Sequence, residues 1–194
     1  MENFHFYAML SRMKYINRWG LMRNTRNENI SEHSLDTAII AHGLAVIGNR
    51  VFNRSYDEAR AALLAVFHDV TEIITGDLPT PVKYHSEKIR SAYKEVENVA
   101  QDSLLSLLPK EFAEDYRDIL GLSGSEDAQL KPLIKAADKL SAIIKCIEEK
   151  KSGNQEFEKA EETLRQAVKE LKLPEADYFV ENCLPSYSLT LDEL

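Results

Sequence analysis

One short segment of this sequence concentrates side chains that can do acid–base and metal chemistry. His68 and Asp69 stand side by side after an apolar helical run, and Glu72 follows three residues later. On a helix, Glu72 would share a face with both of them. Because burying a carboxylate requires a charge partner or a metal, these three groups predict a functional site. The segment alone is equally compatible with a buried His–Asp hydrogen bond or a simple cluster at a helix end.

Two further candidates lie on other predicted helices. His33 falls in the first turn of its helix, and taken alone it favours a surface histidine near a cap. Asp138 interrupts an apolar helical run, where an ion pair with a neighbouring lysine is the simpler interpretation. Together with His68 and Asp69, however, they give two imidazoles and two carboxylates on three helices. Such a donor set suits a divalent transition metal and leaves positions for water and substrate.

The elements that must position these residues are all helices. Glycine and proline are scarce, at 7 and 6 residues, and they lie between stretches of helical apolar periodicity. No period-two alternation of β-branched residues indicates a strand. We expect an all-α chain that forms one domain over residues 1–194 with about seven to nine helices. The predicted helices span approximately 3–17, 31–48, 57–76, 86–107, 109–120, 126–151, 154–173 and 176–184.

Local signals place several helix ends and faces. Ser31 and Asp57 are the predicted N-caps of the helices that carry His33 and His68. The segment 76–81 is predicted to be a loop, because two prolines and a glycine in six residues do not propagate a helix. On the helix after Ser31, the apolar spacing predicts that Leu35 and Ile39 face inward.

Composition excludes several classes of protein. Lys and Arg number 24 against 32 Asp and Glu, which gives a net charge of −8 and argues against binding a nucleic-acid polymer or an anionic membrane. No apolar run approaches the roughly 20 residues that span a bilayer. Residues 1–10 show no signal-peptide pattern, and the cysteines, Cys146 and Cys183, are expected to be reduced. We therefore expect a cytoplasmic protein.

The order of His33, His68–Asp69 and Asp138 along an all-α chain resembles the HD-domain metal-dependent phosphohydrolases. Longer blocks resemble the bacterial YfbR-type 5′-deoxynucleotidases almost from end to end, most weakly between residues 86 and 129. The matching blocks are Arg12, Ile16–Trp19, Leu21–Asn24, Glu28–Asn29, Ser31–Leu35, Gly76–Tyr84, Asp177–Phe179 and Pro185–Glu193.

That resemblance implies a helical HD-domain bundle that acts as a homodimer. It implies hydrolysis of deoxyribonucleoside 5′-monophosphates to deoxynucleoside and phosphate, with a divalent cation as cofactor. Carried over by position, the metal ligands would be His33, His68, Asp69 and Asp138. Glu72, Arg18 and Asp77 would be the catalytic residues. The substrate contacts would come from Arg18, Trp19, His33, Asp69, Asp77, Leu78, Pro79, Thr80 and Asp138.

Residue chemistry agrees with these roles. A phosphate monoester brings about two negative charges, so a cation and Arg18 are suitable stabilisers. Glu72 could orient the attacking water, accept its proton or relay a proton to the leaving oxygen, and the sequence does not choose between Glu72 and Asp77. Trp19, the sole tryptophan, could be core filler, but its place in a polar loop favours a substrate wall that excludes a 2′-hydroxyl. Co²⁺ or Mn²⁺ is the expected cation, with Zn²⁺, Ni²⁺ or Cu²⁺ as alternatives.

The sequence therefore predicts a metal-dependent 5′-deoxynucleotidase that is selective against ribonucleotides and broad in base. One alternative is another HD-domain phosphohydrolase, acting on a nucleoside triphosphate, a cyclic dinucleotide or a different phosphomonoester; the Arg18–Trp19 and 76–80 blocks argue against it. The other alternative is a non-catalytic nucleotide-binding protein, which the complete ligand set and Glu72 argue against. The overall acidity does not exclude a monoester, because acidic side chains can hold a dication that faces the phosphate.

Overall fold

The computed structural model describes residues 3–83, 85–121 and 127–194, and within them the predicted all-α fold is confirmed. The only strand-like feature in these ranges is an isolated antiparallel bridge between Asn17 and Asn29. Seven of the described helices have nine residues or more, within the predicted number. The helices are α1 (Phe6–Leu10), α2 (Ile30–Val51), α3 (Glu58–Phe67), α4 (Glu72–Thr75), α5 (Thr80–Lys83), α6 (Glu87–Leu105), α7 (Lys110–Gly121), α8 (Lys131–Lys151), α9 (Glu158–Glu170) and α10 (Pro174–Asn182). Short 3-10 helices span Ser11–Tyr15, Gln155–Phe157, Leu184–Ser188 and Leu191–Glu193.

The main core forms where α2, α3 and α8 pack together. Leu44, Leu64 and Leu140, one from each helix, have no exposed surface. Burying a leucine side chain contributes roughly 1.5–3 kcal/mol, so this three-helix contact is a major source of stability. A smaller, separate cluster that includes Phe6 and Leu104 joins α1 and α6. No helix in the described ranges is both long and apolar enough to cross a membrane.

The start of α2 differs from the sequence expectation, which placed the N-cap at Ser31. Asn29 is the cap, and its Oδ1 accepts hydrogen bonds from the backbone N–H groups of Ser31 and Glu32 at 3.0 Å each. Glu32 reaches back to the N–H of Asn29, which completes a capping box. Asp57, in contrast, caps α3 as predicted, with its Oδ1 2.8 Å from the N–H of Arg60.

The long helix predicted to run from Asp57 to Gly76 is interrupted. α3 ends at Phe67, and a tight turn at residues 68–71 leads into α4. The backbone N–H of Glu72 bonds to the carbonyl of Asp69 at 3.0 Å, a three-residue spacing that is tighter than an α-helix. The His68–Asp69 pair therefore lies in a break between two helices and not inside one. Gly76 ends α4 with a φ of +72°, in a region that disfavours residues with a Cβ.

Two further expectations about local structure were wrong. The predicted loop 76–81 is shorter, because α5 begins at Thr80 and Pro81 fits its first turn, where a missing N–H costs nothing. Leu35 and Ile39 on α2 do not face inward and are 60% and 62% exposed. The buried face of α2 instead carries Thr37, Ala41 and Leu44, among others.

Candidate metal centre and substrate site

His33 is held rigidly in the first turn of α2. Its side chain has no exposed surface, and its Nδ1 lies 3.1 Å from Oγ of Ser141 on α8. Its other nitrogen, Nε2, lies 3.2 Å from Oδ1 of Asp138 and 3.5 Å from Oδ2 of Asp69. One ring nitrogen is thus used to orient the imidazole while the other faces two carboxylates, as in many metal-binding histidines.

His68 shows the same division of its two ring nitrogens. Nδ1 donates a 2.7 Å hydrogen bond to the backbone carbonyl of Ala65, one turn earlier. Nε2 is buried, lies 3.0 Å from Oδ2 of Asp69, and makes no hydrogen bond of good geometry. Such a buried nitrogen without a well-aligned partner, facing a carboxylate, is what a metal ligand requires.

The structure brings together the candidate ligands that the sequence had placed on three separate helices. Nitrogen atoms of His33 and His68 and an oxygen of Asp138 all lie within 4.8 Å of one another. Asp69 completes the group through its short distances to both imidazoles. Because ligands at about 2.1 Å from an ion lie only a few ångström apart, these four residues could hold one divalent cation.

Electrostatics in this cluster favour a cation. Burial opposes ionisation of Asp69 and Asp138, but the adjacent imidazoles outweigh it, so the pKa of each carboxyl lies below its ordinary value. Burial would lower the pKa of His68, yet the carboxylate of Asp69 raises it to about 9. The proton on this imidazole occupies the position that a bound cation would take, so metal binding would displace the proton.

Glu72 lies at the start of α4, beside this cluster. It is buried, and its Oε2 has no hydrogen-bond partner. The pKa of Glu72 is raised to about 9. Burial is the largest cause, and the negative charges of Asp69 and Asp77 add to it. A buried carboxyl group with a free oxygen next to a candidate metal site is suited to holding a water molecule or a proton.

Arg18 and Trp19 approach the cluster from the polar loop between α1 and α2. Nη2 of Arg18 lies 3.9 Å from Oδ1 of Asp138, so the guanidinium borders the candidate metal site. The guanidinium carbon also lies 5.8 Å from the centre of the Trp19 ring, which packs on the buried Phe157 at 5.3 Å. This tilted contact fixes one face of the indole against the core.

The segment after α4 supplies the remaining predicted substrate contacts. Burial raises the pKa of Asp77, although Arg18 and the backbone amide of Trp19 act in the opposite direction. The carboxyl group of Asp77 is therefore close enough to Arg18 for their charges to interact. Leu78 and Pro79 are half-buried next to it, and the side chain of Thr80 lies outside the described part of the chain.

The loop that carries Arg18 and Trp19, here called the 18–29 loop, is fixed to α8 by a buried carboxylate. Glu149 accepts hydrogen bonds from the backbone N–H and the hydroxyl of Thr25, at 2.9 and 2.7 Å. Lys145 and Asn154 also bond to Glu149, and Asn154 holds the carbonyl of Arg23 at 2.7 Å. The loop therefore has a defined position without regular secondary structure of its own.

The family described as 5′-deoxynucleotidase YfbR-like matches residues 5–187. A 5′-deoxynucleotidase of Yersinia pestis (strain Pestoides F) is 51% identical over 190 residues, which cover 98% of this chain and 96% of the relative. This chain belongs to the YfbR-like 5′-deoxynucleotidase family. The family resemblance predicted from its sequence blocks is thus confirmed.

Solved structures place this family member in the HD-domain fold. An HD-domain phosphohydrolase from Listeria innocua superposes with a TM-score of 0.82 at 22% identity, covering 94% of this chain and 88% of its own. The cyanophage S-2L HD phosphohydrolase DatZ, bound to dA and one catalytic Zn²⁺ ion, superposes with a TM-score of 0.67 at 19% identity, covering 92% and 96%. At these identities the likeness concerns the fold, and it confirms the predicted HD-domain bundle.

Sequence reasoning missed several residues that shape the site of this YfbR-like chain. Ser141 orients His33, and its position three residues after Asp138 on one helix face was a usable signal. Glu149 stands in a run of charged residues, a pattern that favours a solvated surface, and only its packing shows that it is 1% exposed. Glu28 had been noted for family likeness alone, yet its side chain contacts both Arg18 and Trp19.

Proposed function

We propose that this protein is a metal-dependent 5′-deoxynucleotidase that releases phosphate from deoxyribonucleoside 5′-monophosphates. The observation that carries the proposal is the position of Arg18, whose guanidinium lies 3.9 Å from Asp138 within the candidate metal cluster. A phosphate bound to the cation would be within reach of this arginine, which can pair with two phosphate oxygens. The 51% identical relative is a 5′-deoxynucleotidase, which supports the same substrate class.

The metal would be held by His33, His68, Asp69 and Asp138. The two imidazoles use Nδ1 for contacts within the protein and leave Nε2 facing the two carboxylates, so the residues fit a divalent cation. A cation bound there lowers the pKa of a coordinated water and polarises a phosphoryl oxygen. We propose Co²⁺ or Mn²⁺ as the activating ion; the Zn²⁺ in the cyanophage neighbour supports zinc as an alternative.

Selectivity for the sugar is assigned to Trp19. The indole is held from behind by Phe157 and lies beside the arginine that would orient the phosphate. An indole beside the phosphate-binding arginine would face the sugar of a bound nucleotide and leave no space for a 2′-hydroxyl. Few directional contacts to the base are needed in such a site, which supports broad base acceptance. Asp77, Leu78, Pro79 and Thr80 would line the rest of the nucleotide site.

Proton transfer is assigned to Glu72, with Asp77 as the second carboxyl group of the site. Glu72 is buried and its Oε2 is unpartnered, so it has an oxygen available for water or for the leaving 5′-oxygen. Asp77 lies in the electrostatic range of Arg18, which favours a role in substrate orientation. Glu72 would thus act on the water or on the leaving 5′-oxygen, and Asp77 would act on the substrate.

A panel of nucleotides tests the proposal. The purified protein with added Co²⁺ or Mn²⁺ is expected to release phosphate from several deoxyribonucleoside monophosphates and much less from ribonucleoside monophosphates. Asp69→Ala should abolish both metal binding, measured by titration calorimetry, and turnover. Equal activity on AMP and dAMP would contradict the role of Trp19, and full activity of Asp69→Ala would contradict the metal site.

We also propose that the protein is a homodimer of one-domain subunits and acts in the cytoplasm. The family resemblance supports the dimer, and Leu35 and Ile39 offer exposed apolar surface one turn apart on α2 that a second copy could cover. Sedimentation analysis tests this assignment. A dimeric protein that becomes monomeric in Leu35→Glu/Ile39→Glu would support α2 as the contact, and a monomeric wild-type protein would refute the dimer.

A further inference from the structure

We propose that Glu28 is a positioning residue that sets Arg18 and Trp19 in one fixed geometry and thereby controls selectivity for deoxyribose. The inference rests on the proposed function, since it assigns Arg18 to the phosphate and Trp19 to the sugar. Glu28 would act through these two side chains and not by touching the substrate.

One carboxylate oxygen of Glu28 serves both neighbours. Its Oε2 accepts a hydrogen bond from Nη1 of Arg18 at 2.8 Å and another from Nε1 of Trp19 at 2.9 Å. Glu28 is only 8% exposed, so water competes little for this oxygen. Hydrogen bonds to an ionised acceptor in such a setting are stronger than neutral ones. Arg18, assigned to the phosphate, and Trp19, assigned to the sugar, are therefore coupled through a single oxygen atom of Glu28.

The backbone brings Glu28 to this position. The N–H of Arg18 bonds to the carbonyl of Glu28 at 2.9 Å, and the N–H of Ile30 bonds to the carbonyl of Ile16 at 3.0 Å. Between them lies the antiparallel bridge of Asn17 and Asn29. The two ends of the 18–29 loop are thus paired. The backbone of Glu28 bonds to Arg18, and its side chain bonds to both Arg18 and Trp19.

Trp19 needs such support because its backbone conformation is unfavourable. Its φ is +60°, a left-handed value that is uncommon and strained for a bulky residue. The carbonyl of Trp19 accepts hydrogen bonds from the N–H of Met22 at 2.9 Å and from Nδ2 of Asn24 at 3.3 Å. These bonds fix the main chain, while the bond to Glu28 fixes the direction of the indole.

The same contact aims the guanidinium of Arg18. Nη1 is occupied by Glu28, and Nη2 is directed towards Oδ1 of Asp138 in the metal cluster, 3.9 Å away. Without Glu28, Arg18 would be free to turn onto the carboxylates of Asp138 and Asp77, which also attract it. Removal of one side chain would therefore loosen the phosphate and sugar contacts together, and discrimination against a 2′-hydroxyl would fall.

Steady-state kinetics of Glu28→Gln and Glu28→Ala test this inference. Each variant is compared with the wild-type protein on a deoxyribo- and a ribonucleoside monophosphate with added Mn²⁺. In Glu28→Ala the ratio of the two kcat/KM values should fall by about tenfold to 100-fold, largely through a higher KM for the deoxyribonucleotide. Glu28→Gln keeps the shape and one acceptor oxygen, so it should recover part of the selectivity. Glu162→Gln, on the exposed face of α9, is the matched control and should retain the wild-type ratio.

Tryptophan fluorescence supplies a readout that does not depend on activity. Because Trp19 is the sole tryptophan, the emission reports this indole alone. Glu28→Ala should change the emission maximum and increase quenching by acrylamide, and Glu28→Gln should give an intermediate result. Unchanged selectivity and unchanged fluorescence in both variants would overturn the proposal, as would equal loss of kcat on both substrates with the ratio preserved.

These measurements separate the two hypotheses. If the wild-type protein released no phosphate from any deoxyribonucleoside monophosphate, the proposed function would fail, while the fluorescence of the two Glu28 variants would still report whether Glu28 fixes Trp19. If the wild-type protein were active and selective but the variants were as selective as Glu162→Gln, the function would stand and the role of Glu28 would be refuted.

Discussion

Oγ of Ser141 on α8 lies 3.1 Å from Nδ1 of the buried His33 on α2, and it ties together two helices that both carry candidate metal ligands. We predict that Ser141→Ala lowers metal affinity by about 10–100-fold, because the imidazole loses the contact that orients it. Titration calorimetry with Mn²⁺ measures the change. Ser103→Ala, an exposed serine on α6, is the control, and an equal effect in both variants would contradict the role of Ser141.

Trp19 gives the most direct prediction about sugar selectivity. Trp19→Ala should raise the activity on ribonucleoside monophosphates relative to deoxyribonucleoside monophosphates, because the side chain that would exclude the 2′-hydroxyl is removed. We expect the kcat/KM ratio to shift by at least about tenfold, which corresponds to roughly 1.4 kcal/mol. A phosphate-release assay on paired nucleotides of the same base checks it. If Trp19→Ala kept the wild-type ratio, selectivity would have to come from another contact.

The buried network around Glu149 predicts a large effect on stability. Glu149→Ala removes the acceptor used by Thr25, Lys145 and Asn154 and leaves a buried ammonium group without its carboxylate. Breaking such a buried pair costs about 3–5 kcal/mol. Chemical denaturation followed by circular dichroism measures the loss. Glu148→Ala changes the adjacent exposed residue, and a similar loss in that variant would show that the effect is not specific to the network.

The same carboxylate predicts a dependence of stability on pH. Burial opposes its ionisation, but Lys145, Asn154 and Thr25 outweigh burial and hold the pKa of Glu149 well below the ordinary value of 4.5. A carboxyl whose pKa is lower in the folded state stabilises the fold above the unfolded pKa, and this contribution is lost as the pH falls below about 4.5 towards the folded value. Wild-type stability should therefore decline more steeply than that of Glu149→Gln below pH 4.5. Parallel slopes in denaturation curves would refute this account.

Helix periodicity and glycine and proline positions were sufficient to predict the all-α class. The candidate metal ligands His33, His68, Asp69 and Asp138 could also be selected from order and spacing, and the structure places all four side chains close together. The sequence failed at places where tertiary contacts override local preference. The turn at residues 68–71 interrupts an apolar helical pattern. On α2 the periodicity predicted a helix correctly, but the exposed Leu35 shows that it did not identify which face of the helix is buried.

The sequence by itself determined the helical fold, the family and the candidate metal-ligating and catalytic residues, since these follow from residue type and spacing along the chain. Only the tertiary structure decided how those residues are oriented. The hydrogen bond from His68 to Ala65, and the sharing of one Glu28 oxygen by Arg18 and Trp19, are set by distances and directions in space. A sequence pattern contains the donors and acceptors, but which of them meet, and how much water is excluded where they meet, is fixed by packing.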